Sequence, residues 1–239
     1  MNITSTAVLV TGANRGLGRA LVEEALRRGA KRVYAGTRKP LAHSDRRVTP
    51  LTLDVTKAEQ IQRAVEKVES LDVLINNAAI AEYDDLGDRA RFERHLAVNL
   101  LGSYDVTQAF LPLLARSGGA IVNVLSLAAL APLPIIPAYS ISKAAALSLT
   151  QSLRALLGAR GVSVHAVLAG GIDMSRDTDV PKSSPESVAR GILDGVENGE
   201  EEIFPDPGSA PLAESWRNSV AKALERDFAA LLKGAAASA

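Results

Sequence analysis

Four apolar residues, Ala7 to Val10, run straight into Thr11-Gly12-Ala13-Asn14-Arg15-Gly16-Leu17-Gly18, and a stretch with helical periodicity follows. Few folds use such a sequence. Where glycines replace side chains between a strand and a helix, the backbone can approach a phosphate closely, and the charge then sits against free N–H groups at the helix N-terminus. The spacing here is Gly-x3-Gly-x-Gly, not the Gly-x-Gly-x2-Gly of the general dinucleotide fingerprint. Alone, the turn is also compatible with a tight connection. Its place after the first strand favours a ligand.

The rest of the chain repeats that opening alternation of short apolar runs and longer helix-period stretches, the rhythm of a parallel sheet. Strands are predicted at 7–10, 33–36, 51–53, 73–75, 120–125 and 163–168, with a last one at 201–204. Helices are predicted at 17–28, 57–68, 89–114 and 138–157. A further helix should begin near Ser184, where a cap is followed by Pro185 at the first helical position. An amphipathic helix is expected from Pro211 to Leu232. Hydrophobic residues make up 47% of the chain and aromatics only 4%, which suits a buried parallel sheet packed with aliphatic side chains. The expected fold is α/β: a Rossmann-type doubly wound parallel β-sheet in a single domain over residues 1–239, with a helical tail from about residue 211.

Lys plus Arg (27) balances Asp plus Glu (27), so no bulk field draws the chain to nucleic acid or an anionic membrane. It has no cysteine, which excludes disulfides and thiolate metal sites, and no metal site is read from the sequence. No apolar run reaches the 18 or so residues a membrane span needs. The opening residues lack a basic segment and a cleavage site, so no signal peptide is expected. The expectation is a cytoplasmic protein.

The end of the second strand discriminates between dinucleotides. NAD-selective folds place an acid there to accept from the adenosine ribose 2′-hydroxyl. Here Val33-Tyr34-Ala35-Gly36 leads into Thr37-Arg38-Lys39, with no carboxylate. Arg38, joined by Arg15 in the glycine loop, offers forked donors suited to a phosphate. At about 1.5–3 kcal/mol for each hydrogen bond to a charged group, two such contacts favour NADP(H).

Tyr139 and Lys143 open a predicted helix four residues apart, which puts phenol and ammonium on one face. A free phenol titrates near 10, and a nearby cation would lower that value toward neutrality. Ser126 ends the fifth strand at the sheet edge where α/β ligands sit, so its hydroxyl can hold a substrate oxygen beside Tyr139. Asn76-Asn77-Ala78-Ala79 follows the fourth strand at the same edge. Asn99 interrupts an apolar helical stretch, and a buried amide needs partners. Taken singly, Ser126 reads as a strand cap and Asn99 as a helix-packing bond; jointly these readings are weak.

In their order and spacing these residues resemble the short-chain dehydrogenase/reductase family, in its single-domain branch, over roughly residues 6 to 205. Thr11-Gly12 through Gly18 is similar to the family's cofactor loop, and Asp54-Val55 to its adenine-contacting pair. Asn76-Asn77-Ala78-Ala79 resembles the Asn-Asn-Ala-Gly motif. Asn99, Ser126, Tyr139 and Lys143 fall where the family places its catalytic tetrad. The resemblance implies that Tyr139 exchanges a proton with the substrate oxygen while hydride moves to or from nicotinamide, and that Ser126 orients that oxygen. It implies that Lys143 holds the nicotinamide ribose and lowers the Tyr139 pKa, and that Asn99 positions a relay water. The expected cofactor contacts are Gly12, Asn14, Arg15, Gly16, Leu17, Gly18, Thr37, Arg38, Asp54, Val55, Asn77, Ala78, Tyr139, Lys143, Gly170 and Ile172.

The sequence departs from the family after the sixth strand. Ala169-Gly170-Gly171-Ile172-Asp173-Met174 stands where the family shows Pro-Gly and then Thr, and Glu201 to Pro207 replaces a glycine-rich last strand. The substrate end should be lined from Leu127, Leu130, Leu133, Ile135 and Ile136 beside Pro132, Pro134 and Pro137, although several of these residues can equally pack the loop. An apolar lining favours a small-molecule hydrophobic ketone, aldehyde or alcohol. The competing readings are a catalytically silent dinucleotide-binding regulatory protein and a sugar-nucleotide epimerase, the latter needing a larger C-terminal substrate domain. Apolar residues on several faces of the stretches 89–114 and 138–157 predict a homodimer, with a homotetramer as the alternative.

Overall fold

The computed structural model describes residues 1–39, 41–171 and 183–237, with side chains through residue 231. Its strands are β1 (Ala7–Thr11), β2 (Arg32–Thr37), β3 (Val48–Thr52), β4 (Val73–Asn76), β5 (Ala120–Val124), β6 (Ser163–Val167) and β7 (Glu202–Ile203). They form one sheet in the order β3-β2-β1-β4-β5-β6-β7, with every pair parallel. This is the doubly wound Rossmann-type arrangement.

The period-two alternation of the strands decides which helices cover which face. Val8 and Val10 of β1 pack with α1 (Gly16–Arg27) and α6 (Pro185–Glu197). Ala7 and Leu9 point the other way, into a cluster with α2 (Ala58–Lys67), α4 (Gly102–Ser117) and α5 (Pro137–Leu157). Strand order reverses between β1 and β4, and the crevice outside their C-terminal ends is where α/β folds take ligands.

Ser184 caps α6 as the sequence predicts, its hydroxyl accepting from Ser187 N–H. Two expectations are corrected. The stretch 89–114 is not one helix. It divides into α3 (Arg89–Leu96), a π-helical turn at Ala97–Leu101, and α4. At the junction Gly102 lies so close to Val55 that a Cβ would sit 2.6 Å from its methyl group, so the register shift seats the helix against the β3–α2 connection. The tail is likewise broken, into a short α7 (Ala213–Arg217) and a long α8 (Val220–Ala237). The break at Asn218–Ser219 lets the Ser219 hydroxyl accept from Lys222 N–H, 3.1 Å, and start α8 anew.

Charged residues hold α8 against the sheet edge. The Lys222 ammonium is buried and donates to Glu201 (2.7 Å), Glu202 (2.9 Å) and Glu225 (3.0 Å). Arg154 of α5 pairs with Glu202 at 2.8 Å and also with Glu225. Among the described residues no helix is long and apolar enough to cross a membrane.

Candidate active site

The end of β1 is built almost entirely from backbone. Gly12 (φ +68°) and Gly16 (φ +51°) adopt left-handed conformations that L side chains resist. At Gly18 a Cβ would lie 2.1 Å from the Gly12 carbonyl oxygen, so helix α1 can only start this close to the strand with glycine there. Leu17 is buried, whereas Asn14 and Arg15 are exposed. Helix α1 has no side-chain cap and no acid in its first turn, leaving its first N–H groups and the positive end of its dipole available to an anion.

Neighbouring strand ends converge on this loop. Ala13 N–H donates to Gly36 O (3.1 Å) and Leu53 N–H to Thr37 O (2.8 Å), which brings Thr37, Arg38, Asp54 and Val55 alongside it. Thr37 is buried and its hydroxyl donates to Lys39 O; Arg38 is exposed. Burial opposes ionisation of Asp54. The N–H and hydroxyl of Thr56 and the charges of Arg38 and Lys57 outweigh it and hold the carboxyl below its usual range. On the other side of β1, the Thr11 hydroxyl accepts from the N–H groups of Asn77 and Ala78, both 3.0 Å, and the Asn77 amide donates to Thr11 O at 2.8 Å. Behind them a buried ladder joins sheet to helices. Asn76 donates to Thr107 and Asn123, and Asn123 to Thr150, each at 2.9 Å.

Ser126, Tyr139 and Lys143 come together at the end of β5. Ser126 starts the 3-10 turn Leu127–Ala129, its oxygen accepting from Ala128 N–H at 3.1 Å. Its proton remains free to donate, and a hydrogen bond from Ser126 pulls the Tyr139 phenol down while burial pushes it up; burial wins and the pKa is raised. Lys143 is buried, donates to Val124 O at 2.7 Å, and stands 5.7 Å from the centroid of the Tyr139 ring. Its own pKa is lowered to about 8 by burial.

Asn99 sits in the π-helical turn and is buried. Its side chain accepts from Ile80 N–H and donates to Ile80 O and the Ser142 hydroxyl, each at 2.9 Å. Both amide protons are committed, so this side chain ties the loop after β4 to the helix carrying Tyr139. Ser142 in turn donates to Tyr139 O at 2.6 Å. Asp84 accepts from Ala138 N–H at 3.3–3.4 Å, providing the carboxylate at the start of α5 that Ile136 cannot. Sequence reasoning missed Ser142, Asp84 and Asn123. A lone asparagine within the apolar run 120–125 was the available signal for Asn123.

Gly170 N–H donates to Asp206 at 2.8 Å, and Ile172 lies outside the described residues. Of the expected substrate wall, Leu127 and Leu130 pack with Leu125, Leu147, Leu168 and Trp216, while Leu133 and Ile135 are exposed. An apolar groove of about 680 Å³ separates α5 from α8; Leu130, Leu147, Trp216 and Phe228 line it, and the Ser126–Tyr139–Lys143 group does not.

A family model for short chain dehydrogenase matches residues 6–184. Mouse (Mus musculus) estradiol 17-beta-dehydrogenase 2 is 34% identical over 186 residues, 71% of this chain and 49% of that protein. The chain therefore spans about half the length of that relative. The 2-(S)-hydroxypropyl-CoM dehydrogenase 3 of Xanthobacter autotrophicus is 34% identical over 208 residues, 79% of this chain and 81% of that one. A short chain dehydrogenase from Burkholderia cenocepacia, solved in complex with NADP, superposes with a TM-score of 0.86 at 37% identity, covering 95% of this chain and 98% of its own. One from Leptospira borgpetersenii with bound NAD+ has a TM-score of 0.78 at 22% identity, covering 86% and 92%; at that identity it bears on the fold alone.

Proposed function

The chain belongs to the short-chain dehydrogenase/reductase family, and on that premise we propose that it interconverts a hydrophobic ketone or aldehyde and its alcohol with NADP(H). We read residues 1–239 as one domain for that purpose, with the helical tail packed on it.

The residues present fit a nicotinamide dinucleotide. Positive φ at Gly12 and Gly16, no room for a Cβ at Gly18 and an uncapped α1 together make a cradle for a pyrophosphate. Gly12, Asn14, Arg15, Gly16, Leu17 and Gly18 would hold it. Thr37 and Arg38 would meet the adenosine ribose, Asp54 and Val55 the adenine, and Asn77, Ala78 and Gly170 the inner half. Tyr139 and Lys143 would meet the nicotinamide ribose. The absence of a carboxylate at the end of β2 supports the 2′-phosphorylated form, as does the NADP-bound relative at 37% identity. When bound, the cofactor supplies or accepts the hydride.

The convergence of Ser126, Tyr139 and Lys143 carries the reading. Ser126 already donates toward the Tyr139 phenol, so a carbonyl oxygen placed between the two hydroxyls would receive both protons' hydrogen bonds. The raised phenol pKa keeps Tyr139 neutral around pH 7, the form needed to protonate an oxygen that is gaining charge. NADP(H) preference favours reduction. Asn99 and Ser142 fix the turn of helix that carries Tyr139, so the phenol is presented without rotational freedom of its backbone.

Leu101, Tyr104, Ile141 and Leu156 expose large apolar side chains on the π turn, α4 and α5. This supports a homodimer through these helices, with a tetramer as the alternative, a question that light scattering answers by mass.

An NADPH-oxidation screen over aromatic, aliphatic and steroid-like carbonyls tests the reading. Turnover is expected with at least one class. Tyr139→Phe should lose on the order of 10²–10⁴-fold in rate while NADPH binding, read by nicotinamide fluorescence, stays within a few-fold. Arg38→Asp should erode the preference over NADH. Retained rate in the phenylalanine variant would overturn the proton-transfer role, and equal use of both cofactors by the wild type would overturn the NADP(H) preference.

A further inference from the structure

We propose that Asp206 is a positioning residue for the cofactor, acting through the turn Ala169–Gly171. The inference rests on the functional reading above and identifies what shapes one wall of that site.

Asp206 follows β7 and is 3% exposed. Its carboxylate forms no ion pair among the described residues and is held by four donors. One oxygen, Oδ2, accepts from Gly170 N–H and from the Ser209 hydroxyl, both at 2.8 Å. The other, Oδ1, accepts from the N–H groups of Gly208 (3.0 Å) and Ser209 (3.1 Å). A buried carboxylate is costly unless its lone pairs are filled, and here three of the four partners belong to its own turn. The fourth, Gly170, belongs to a segment 36 residues away in sequence.

Contact between the two segments is closer than a hydrogen bond alone requires. A Cβ at Gly170 would lie 2.8 Å from Asp206 Oδ1, so the carboxylate occupies the space a side chain would take. The glycine at 170 is thus fixed by Asp206. Nothing in the covalent chain stiffens Ala169-Gly170-Gly171, which has neither a proline ring nor a branched side chain. Its conformation is set from outside by three bonds. Ala169 O accepts from Leu127 N–H at 2.9 Å, directly after Ser126; Gly170 N–H is held by Asp206; and Gly171 O accepts from Ser183 N–H at 3.0 Å. The turn is therefore clamped between the strand end that carries Ser126 and the turn that leads into the helical tail. Shifting Asp206 moves the backbone that faces the cofactor crevice beside Ser126.

Asp206→Asn is isosteric and disturbs the clamp in either orientation, because an amide cannot accept from donors at both Oδ1 and Oδ2. With its oxygen at Oδ1, its NH₂ faces the Gly170 N–H; with its oxygen at Oδ2, it faces two N–H groups. Ser209→Ala is the control, since it removes a donor to the same carboxylate without touching Gly170. Measured side by side, both variants should lose thermal stability, but only Asp206→Asn should weaken NADPH binding, by tenfold or more in Kd and in KM, with a smaller change in kcat. Unchanged NADPH affinity in Asp206→Asn overturns the proposal, as does an equal loss in Ser209→Ala, which would mark a purely structural role. If Asp206→Asn does not fold, Gly170→Ala presses on the same carboxylate, with a tenfold loss expected and unchanged affinity overturning the idea. A wild-type chain that binds neither NADPH nor NADH would instead overturn the functional reading, and this proposal with it.

Discussion

Two regions of this molecule are each organised around a buried lysine, and they treat it in opposite ways. Lys143 at the candidate active site is 3% exposed and Lys222 in the tail is 1% exposed. Among the described residues Lys143 has a single backbone carbonyl as hydrogen-bond partner, and burial lowers its pKa to about 8. At Lys222 burial also pulls downward, but hydrogen bonds from the ammonium to Glu201 and Glu202 outweigh it and the pKa is raised. Burial alone therefore says little about what a lysine does. One that is under-partnered keeps donors for a ligand and titrates near neutrality; one ringed by carboxylates is a permanent cation that fastens a helix.

The comparison can be broken at several points. The largest effect is expected from Lys143→Met, which should lower turnover by on the order of 10²–10⁴-fold while circular dichroism shows the fold intact. A variant that kept its activity would remove Lys143 from the chemistry. Next is Lys222→Met, which removes the cation shared by three carboxylates and leaves Glu202 and Glu225 to Arg154, and should cost at most about 3–5 kcal/mol in denaturant unfolding. NADPH affinity should hold within a few-fold, and a loss of cofactor binding equal to the loss of stability would show that the two regions are not separate.

A pH series sharpens the contrast further. The folded-state pKa of Lys143 lies below its unfolded value, so between about pH 8 and 10.5 the unfolded chain binds more protons than the folded one, and the burial penalty, complete below pH 8, fades across that window. Wild type should gain stability relative to Lys143→Met across it, by about 3 kcal/mol in the limit. A flat difference would mean that the ammonium is better solvated than its surroundings imply. Lys222 has the opposite sign: its stabilisation is complete below its unfolded pKa and is lost only as pH rises through the higher folded one. The smallest expected effect is Ser219→Ala, which removes the cap of α8 and should cost about 1 kcal/mol, read as a modest fall in Tm without change in activity.

Much of the candidate site was legible in the sequence because it depends on backbone. The spacing of Gly12, Gly16 and Gly18 declares a close strand-to-helix turn whatever surrounds it, and the four-residue step from Tyr139 to Lys143 fixes a shared helix face. The strands were readable from apolar runs, with ends shifted by no more than one residue except at β3, predicted at 51–53 and found over Val48–Thr52. The π-helical turn was not legible. Widening one hydrogen-bond ring changes no composition, and only Gly102, packed on Val55 from a distant connection, marked it. The carboxylate ring around Lys222 and the grip of Asp206 on Gly170 were hidden for a related reason: each joins residues far apart in sequence, and charged residues in a helical tail or a loop carry no local sign that they are buried. At Tyr139 the helix face told that Lys143 comes to the side of the ring, but not that its ammonium donates to Val124 O.

The strand order has a consequence for how the chain is made. β1 leaves the ribosome before the other strands of its sheet, yet it lies inside that sheet, and its partner on one side arrives only with β4, where Val8 meets Val73. Every pairing is parallel, so each requires a crossover loop to close before any contact rewards it. Until residue 76 emerges, one edge of β1 presents unpaired N–H and C=O groups along an apolar strand, the kind of template on which nascent chains associate wrongly. Refolding from denaturant should accordingly be slow for the size of the chain and lose yield as concentration rises, with the shortfall set by the wait for β4 and not by the docking of α8.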